Sequence, residues 1–223
     1  VTKSNKWAEA TVIFDARPRM NAVGNQIAGK GVESESTYTT CRVRFMDIHN
    51  IHAVRDSYKK LWRAVLYAKT ELQYLTEVAQ SGWFAHMTSI LSAVHQMVAC
   101  IDREQQSVVT HCSDGWDRTS QLTALTKLCV DPYYRTTRGF MVLVEQEWLS
   151  FGHKFYERMG HGVRELHDQR SPVFIQFLDC VYQLTRQFPR HFEFTSEFLA
   201  QVAVHSYSCR FGTFLMNNQR KRV

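Results

Sequence analysis

The sequence predicts an α/β fold with a central, largely parallel sheet flanked by helices. Three short runs rich in β-branched and aromatic residues predict strands at 10–15, 41–48 and 108–111. Longer stretches with apolar residues at helical spacing follow the second and third runs. Strands that alternate with helices along the chain favour parallel pairing through helical crossovers. The 223 residues suffice for one domain with a sizeable core.

Apolar stripes predict core-facing helices at 51–65 and 83–101, and a further helix at 119–130. An apolar run follows at 139–149. Ser171 and Pro172 are expected to begin the next helix as N-cap and first-turn proline, and Phe188 with Pro189 to end it. A last helix is predicted at about 195–208.

The composition is that of a globular protein, with 44% hydrophobic and 13% aromatic residues. We expect no apolar run long enough to span a bilayer and no signal peptide. The six cysteines form no Cys-x2-Cys pair, which favours reduced thiols, a cytosolic location and no zinc site. The net charge of +6 suits an anionic partner, either a phospholipid surface or nucleic acid, but is a weak signal alone.

The segment 107–120 places a loop between a strand and a helix, with Cys112 and Arg118 at its two ends. Such a loop points backbone N–H groups into one concavity at a helix N-terminus, which predicts a phosphate-binding cradle. The same field favours a thiolate and makes Cys112 a candidate nucleophile, while Arg118 can bind two phosphate oxygens. Gly115 lets the backbone turn. The strand and helix on either side favour this interpretation over a buried structural cysteine.

The motif His-Cys-Ser-Asp-Gly-Trp-Asp-Arg-Thr at 111–119 resembles the active-site loop of the myotubularin phosphoinositide phosphatases, in particular the founding, myotubularin-like branch. Its interior makes the resemblance specific, because cysteine-dependent phosphatases in general share only the Cys-x5-Arg frame. Three other stretches are similar to the family: the run from Asp-Ala-Arg-Pro at 15–18, Asn-Ile-His at 50–52, and Phe-Gly-His-Lys-Phe-x-x-Arg at 151–158. The likeness extends from about residue 10 to the C-terminus.

The resemblance implies a cysteine-dependent, protein-tyrosine-phosphatase-like fold. It implies hydrolysis of the 3-phosphate of phosphatidylinositol 3-phosphate and phosphatidylinositol 3,5-bisphosphate through a cysteinyl-phosphate, without metal or cofactor. Cys112 would be the nucleophile, Arg118 the phosphate ligand and Asp117 the general acid, with Asp114 as the competing acid. The implied substrate-binding residues are Asn25, Asn50, Ile51, Ser113, Asp114, Gly115, Trp116, Lys154 and Arg158, the last of them at the 5-phosphate.

Simpler roles exist for several of these residues. An asparagine such as Asn50 at a strand-to-helix junction is commonly a cap. Lys154 and Arg158 are four residues apart, which is also the spacing of a solvated basic helix edge. His153 and His161 are expected to have capping or core roles. Family members often carry lysines just after the second asparagine of the 21–25 run, where this chain has only Lys30.

Residues 1–223 are expected to be a partial, N-terminally truncated phosphatase domain, without the family's N-terminal lipid-binding module and C-terminal coiled coil. The implied partners are phosphoinositide lipids in anionic membranes and homologous family members as oligomer partners, with no nucleic acid. The implied location is cytoplasmic and peripheral, on endosomal or other cytosol-facing membranes. Two alternatives are a phosphoprotein (tyrosine or dual-specificity) phosphatase, which the two loop aspartates and Trp116 disfavour, and a non-catalytic regulatory fragment, which the intact Cys112 and Arg118 disfavour.

Overall fold

The computed structural model describes residues 10–22, 31, 33, 35–162 and 168–222, and in this part of the chain it confirms the α/β class. The described strands are β1 (Thr11–Asp15), β2 (Cys41–Phe45) and β3 (Ser107–His111). They form one parallel sheet in the order β2-β1-β3. Asp15 is in register with both Phe45 and His111, so the carboxyl ends of the three strands meet at one edge.

Helices flank this sheet. Those with both ends described are α1 (Ile51–Tyr67), α2 (Glu71–Gln80), α3 (Trp83–Val98), α4 (Arg118–Val130), α5 (Thr137–Val144), α6 (Phe155–Met159), α7 (Val173–Gln187) and α8 (Ser196–Ser208). The helices α3 and α5 continue into π-helical turns at Ala99–Arg103 and Glu145–Ser150. Short 3₁₀ turns occur at Pro132–Arg135, Pro189–His191, Gly212–Phe214 and Gln219–Lys221.

The core is centred on α4, which packs against α3 and α7. This helix buries polar as well as apolar side chains: Thr119, Ser120, Gln121, Leu122, Ala124, Leu125, Thr126 and Leu128. The amide of Gln121 donates to the Val173 carbonyl at 3.1 Å and to Gln176 Oε1 at 3.0 Å. These hydrogen bonds satisfy a polar group that would otherwise be costly to bury. The helix that follows the candidate loop is therefore fixed from several sides.

The helix formed by α3 and its π-helical turn corrects one expectation. Trp83–Arg103 is long and apolar enough to cross a membrane by length and composition. However, its side chains are used inside the protein: Met87, Ile90 and Val94 are buried in the core, and Trp83 Nε1 donates to Asp179 at 2.7 Å. We therefore describe this segment as a core helix.

The start of α7 corrects another prediction. Pro172 occupies the N-cap position and Val173 begins the helix, with no side-chain cap. Ser171 was expected to be that cap, but its Oγ donates to the Ile51 carbonyl at 2.7 Å. The serine therefore ties the entrance of α7 to the first turn of α1.

Candidate active site

The loop between β3 and α4 comprises residues 112–117 and lies at the carboxyl edge of the sheet. Gly115 adopts a φ of +93°, a region that side chains disfavour, although an added Cβ would meet no atom within 4 Å. The N–H of Gly115 donates to Cys112 Sγ at 3.2 Å. The nucleophile candidate, 9% exposed, therefore faces a backbone donor of its own loop, as a phosphate cradle requires.

Arg118 begins α4 and reaches back across the loop. Its Nη2 donates to Ser113 Oγ and its Nη1 to the Ile48 carbonyl, both at 3.1 Å. The second bond joins the loop to the segment that follows β2 and leads into α1. The structure therefore brings Cys112, Ser113 and Arg118 together as the sequence predicts.

Asp117 is the most constrained side chain of the loop. Arg158 donates to both of its carboxylate oxygens, Nε to Oδ1 at 3.0 Å and Nη2 to Oδ2 at 2.9 Å. His153 Nδ1 lies 3.2 Å from Oδ1. Burial alone raises the pKa of the Asp117 carboxyl, but the hydrogen bonds and charges of His153 and Arg158 together hold that pKa well below its ordinary value. Asp117 is therefore a carboxylate in this arrangement.

Arg158 was expected at the 5-phosphate of a substrate. Here its side chain is only 4% exposed. It is bound to Asp117 and, through Nη1, to the Gln169 carbonyl at 3.0 Å. The 5-phosphate contact stays a prediction, and making it would require Arg158 to release at least part of this pairing.

His153 is the residue that the sequence interpretation undervalued. It is fully buried, as a core role predicts, with its ring edge-on to Trp148 and Phe155 at 4.8 Å between centroids. Its Nδ1 also lies 2.7 Å from the Trp116 carbonyl oxygen, so it contacts two consecutive loop residues. Its place in the Phe-Gly-His-Lys-Phe run, beside a predicted substrate residue, was the available signal.

Lys154 lies beside the loop, and its contact with a substrate headgroup stays a prediction. Its Nζ lies 4.7 Å from the centroid of the Trp116 ring, within the range of a cation–π contact, and 3.5 Å from Glu157. The lysine thus places a positive charge beside the loop and holds the indole. A basic residue at this position suits an anionic substrate.

The remaining predicted residues differ in how they are placed. Asn50 caps α1, with Oδ1 accepting from the N–H groups of His52 at 3.1 Å and Ala53 at 3.2 Å, which confirms the simpler role. Ile51 is the first residue of α1. Asp114 is exposed. Asn25 lies outside the described residues.

One cluster beside the loop has the residue types of a metal site. Donor atoms of Asp15, Glu33 and His111 lie within 4.8 Å of one another. Arg17, however, donates to both carboxylate oxygens of Asp15, with Nη2 at 2.7 Å from Oδ2, and His111 Nε2 lies 3.0 Å from Glu33. A guanidinium already neutralises the buried carboxylate, which favours an ion-pair network over a cation site.

The geometry defines a class first: an α/β protein whose central parallel sheet carries a Cys-x5-Arg loop suited to binding an anion. The family follows from sequence comparison. A family model described as the myotubularin-like phosphatase domain matches residues 1–223, so the chain belongs to this family.

Relatives support the assignment. The phosphatidylinositol-3,5-bisphosphate 3-phosphatase MTMR2 of Mus musculus is 49% identical over 223 residues, and Myotubularin of Xenopus tropicalis is 48% identical over 223 residues. The phosphatidylinositol-3,5-bisphosphate 3-phosphatase mtm-1 of Caenorhabditis elegans is 47% identical over 224 residues. Each match covers 100% of this chain but only 35%, 37% and 38% of the respective relative, so the chain spans a little over a third of their length.

Proposed function

We propose that this chain hydrolyses the 3-phosphate of phosphatidylinositol 3-phosphate and phosphatidylinositol 3,5-bisphosphate. The observation that carries the proposal is the loop at 112–118, where Gly115 donates to Cys112 Sγ and Arg118 reaches across to Ser113. Membership of the phosphatase family and the activity for which two relatives are named supply the substrate class.

We also infer that the chain has a cysteine-dependent, protein-tyrosine-phosphatase-like fold. Its support is the order of β3, loop and α4 at the carboxyl edge of a parallel sheet, with the nucleophile candidate immediately after the strand. We further propose that residues 1–223 are part of a larger phosphatase domain, because the relatives are longer than this chain.

In the proposed reaction the Cys112 thiolate attacks phosphorus in line. An S–P bond forms as the bond from phosphorus to the inositol oxygen breaks, giving a cysteinyl-phosphate. Loop N–H groups and Arg118 hold the equatorial oxygens while charge redistributes. The inositol oxygen leaves with a proton from an acid, and water then attacks the cysteinyl-phosphate, releasing phosphate and restoring the thiolate.

We assign the role of general acid to Asp117, and the side chains around it affect when it can be protonated. The carboxylate is held by Arg158 and His153, so drawing Arg158 away would raise the Asp117 pKa and favour uptake of a proton. A phosphate group is a strong competing ligand for a guanidinium. A substrate phosphate near Arg158 would therefore bind the guanidinium group and raise the pKa of Asp117. Asp114, exposed on the loop, is the alternative acid.

The proposed partners are phosphoinositides in anionic membranes, and homologous family members in oligomers. The proposed location is cytoplasmic and peripheral, on endosomal or other cytosol-facing membranes. The net charge of +6 and the position of Lys154 beside the loop support contact with an anionic surface.

The test is phosphate release from water-soluble forms of the two lipids, with phosphatidylinositol 4-phosphate and a phosphotyrosine peptide for comparison. We expect release from the two lipids that carry a 3-phosphate and little from the other substrates. Cys112→Ser should abolish release, whereas Cys129→Ser, at a cysteine outside the loop, should not. Faster turnover of the peptide would instead indicate a phosphoprotein phosphatase, and no turnover of any substrate a non-catalytic fragment.

A further inference from the structure

A cavity of about 420 Å³ lies between α1, the segment 168–172 and the end of α8. This volume is in the range of small-molecule sites. Neither the 112–118 loop nor Lys154 lines it. Arg158 is the one residue that it shares with the predicted active site, and its side chain is already paired with Asp117. The cavity is therefore a separate feature of the molecule.

Positive charge dominates the lining of this cavity. Among the described residues, Arg55, Lys59 and Arg170 line it together with a single carboxylate, Asp168. Within the described part of the chain, Lys59 and Arg170 have no ion-pair partner. Arg170 Nε is buried and lacks a hydrogen-bond partner among the described residues. Without ion-pair partners, these two cations are available to an anion in the cavity.

The walls of the cavity are fixed to one another. Arg55 Nη1 donates to the Asp168 carbonyl at 2.8 Å, and Ser171 Oγ donates to the Ile51 carbonyl at 2.7 Å. Gly160, with φ +72°, lets Arg170 pack so closely that a Cβ on the glycine would lie 2.4 Å from Nε. A site whose two arginine side chains are already held in place loses less entropy when it binds a ligand.

The shape and lining of the cavity decide between ligand classes. Guanidinium and ammonium groups are the usual ligands of phosphate. The remaining walls include Tyr58, Met159 and Tyr207, which offer hydroxyl groups and apolar surface to a carbon ring. We propose that this cavity binds a small phosphorylated polyol, either free or as the headgroup of a lipid, at a site distinct from the catalytic loop.

A ligand bound in the cavity would affect the contacts of Asp117 in the loop. The segment that carries Arg170 also supplies the Gln169 carbonyl that holds Arg158. Arg158 in turn holds Asp117 through two hydrogen bonds. The ligand site and the proposed general acid are therefore connected through one short segment and one side chain.

The test is calorimetric titration with inositol 1,4-bisphosphate, which carries no 3-phosphate and is no substrate of the proposed reaction. We expect Lys59→Ala to weaken binding roughly 3–10-fold and Arg170→Gln roughly 10-fold or more, since hydrogen bonds to charged groups are the stronger kind. The matched control is Lys60→Ala, a neighbouring exposed lysine of α1 that lines a different cavity; it should change the affinity less than about twofold if contacts, rather than overall charge, carry binding. Thermal melting of each variant checks folding, and exposed Lys59 is not expected to affect it.

Two further arms locate the ligand. Binding that survives in Arg118→Ala supports the proposal, whereas its complete loss there would place the ligand in the catalytic loop and overturn it. Equal losses in Lys59→Ala and Lys60→Ala, or no binding by the unmodified protein, would also overturn it. Dioctanoyl phosphatidylinositol 4-phosphate shows whether the site prefers a lipid-borne headgroup. Because these titrations use no turnover, an inactive chain would contradict the proposed function without affecting this result.

Discussion

The two ends of the loop at 112–117 are built in different ways. At the β3 end, Cys112 and Ser113 are contacted by groups from within the same motif, the Gly115 N–H and Arg118. At the α4 end, Trp116 and Asp117 are held by His153 and Arg158, which lie 37 and 41 residues further along the chain. The proposed nucleophile is therefore positioned by local sequence and the proposed acid by tertiary structure, so substitutions at the two ends should have different consequences.

The largest expected effect is at the local end. Cys112→Ser should leave less than about 1% of the phosphate release, because loss of a nucleophile costs many powers of ten. Lipid binding and thermal stability should be retained, since the thiol makes no tertiary hydrogen bond in the described structure. Release assays, lipid binding and melting curves measure the three quantities. Residual turnover above that limit would contradict the covalent mechanism.

Asp117→Asn tests the other end and should change two properties together. Turnover of the lipids should fall about 10²–10⁴-fold, the usual worth of general acid catalysis, with a much smaller fall for an activated aryl phosphate. Stability should also fall, by about 3–5 kcal/mol at most, because Arg158 loses its buried counter-charge. Equal slowing of both substrates would mean that Asp117 only shapes the loop, and Asp114 would become the better acid.

Arg158→Ala distinguishes the observed pairing from the predicted 5-phosphate contact. Without Arg158 the pKa of Asp117 should rise, so the acid would stay protonated to higher pH. The alkaline limb of the plot of kcat against pH would therefore shift to higher pH. A loss of kcat/KM of about 10–100-fold, similar on both lipids, is expected if the main role of Arg158 is to hold the Asp117 side chain in position, because misplacing the acid costs more than its higher pKa gains. The matched control is Arg186→Ala, an exposed arginine of α7. A loss confined to the bisphosphate would support the 5-phosphate contact.

The same pair predicts how stability depends on pH. The Asp117 pKa is lower in the folded protein than its ordinary value of 3.8, so the unfolded chain binds this proton more tightly. The pair therefore stabilises the fold fully above that value, and the contribution is lost as pH falls below it. Urea midpoints measured from pH 6 downward should show this loss, and Asp117→Asn should reduce it. Identical acid limbs in the two proteins would contradict the assignment.

Asp114→Asn should have the smallest effect. Its side chain is exposed, and surface substitutions of this kind usually change stability by less than about 0.5 kcal/mol. If Asp117 is the acid, lipid turnover should fall less than about tenfold, well below the usual loss of a general acid. Phosphate release and urea unfolding measure both effects. A larger loss of turnover on lipid than on aryl phosphate would transfer the role of acid to Asp114.

The difference between the two ends also explains what the sequence could predict. The strands, α4 and the loop follow from short patterns, and the Ser-Asp-Gly-Trp-Asp interior at 113–117 carried the family resemblance. The pairing of Arg158 with Asp117 cannot be predicted from local sequence, because 41 residues separate the partners and only tertiary packing brings them together. The helix α2 was missed for another reason. It buries none of its side chains, and Leu72 and Leu75 are exposed, so it lacks the core-facing stripe that periodicity detects.

The burial of α4 on several faces has a consequence for the local unfolding of the protein. Its backbone amides have little chance to meet solvent in local fluctuations, so we expect them to be among the slowest to exchange with deuterium. Arg118 is the first residue of this helix, and the candidate loop is therefore joined directly to a segment that should be among the slowest to unfold locally. An anion bound in the loop should then slow exchange throughout α4 and protect the whole fold from proteolysis, rather than order only the loop.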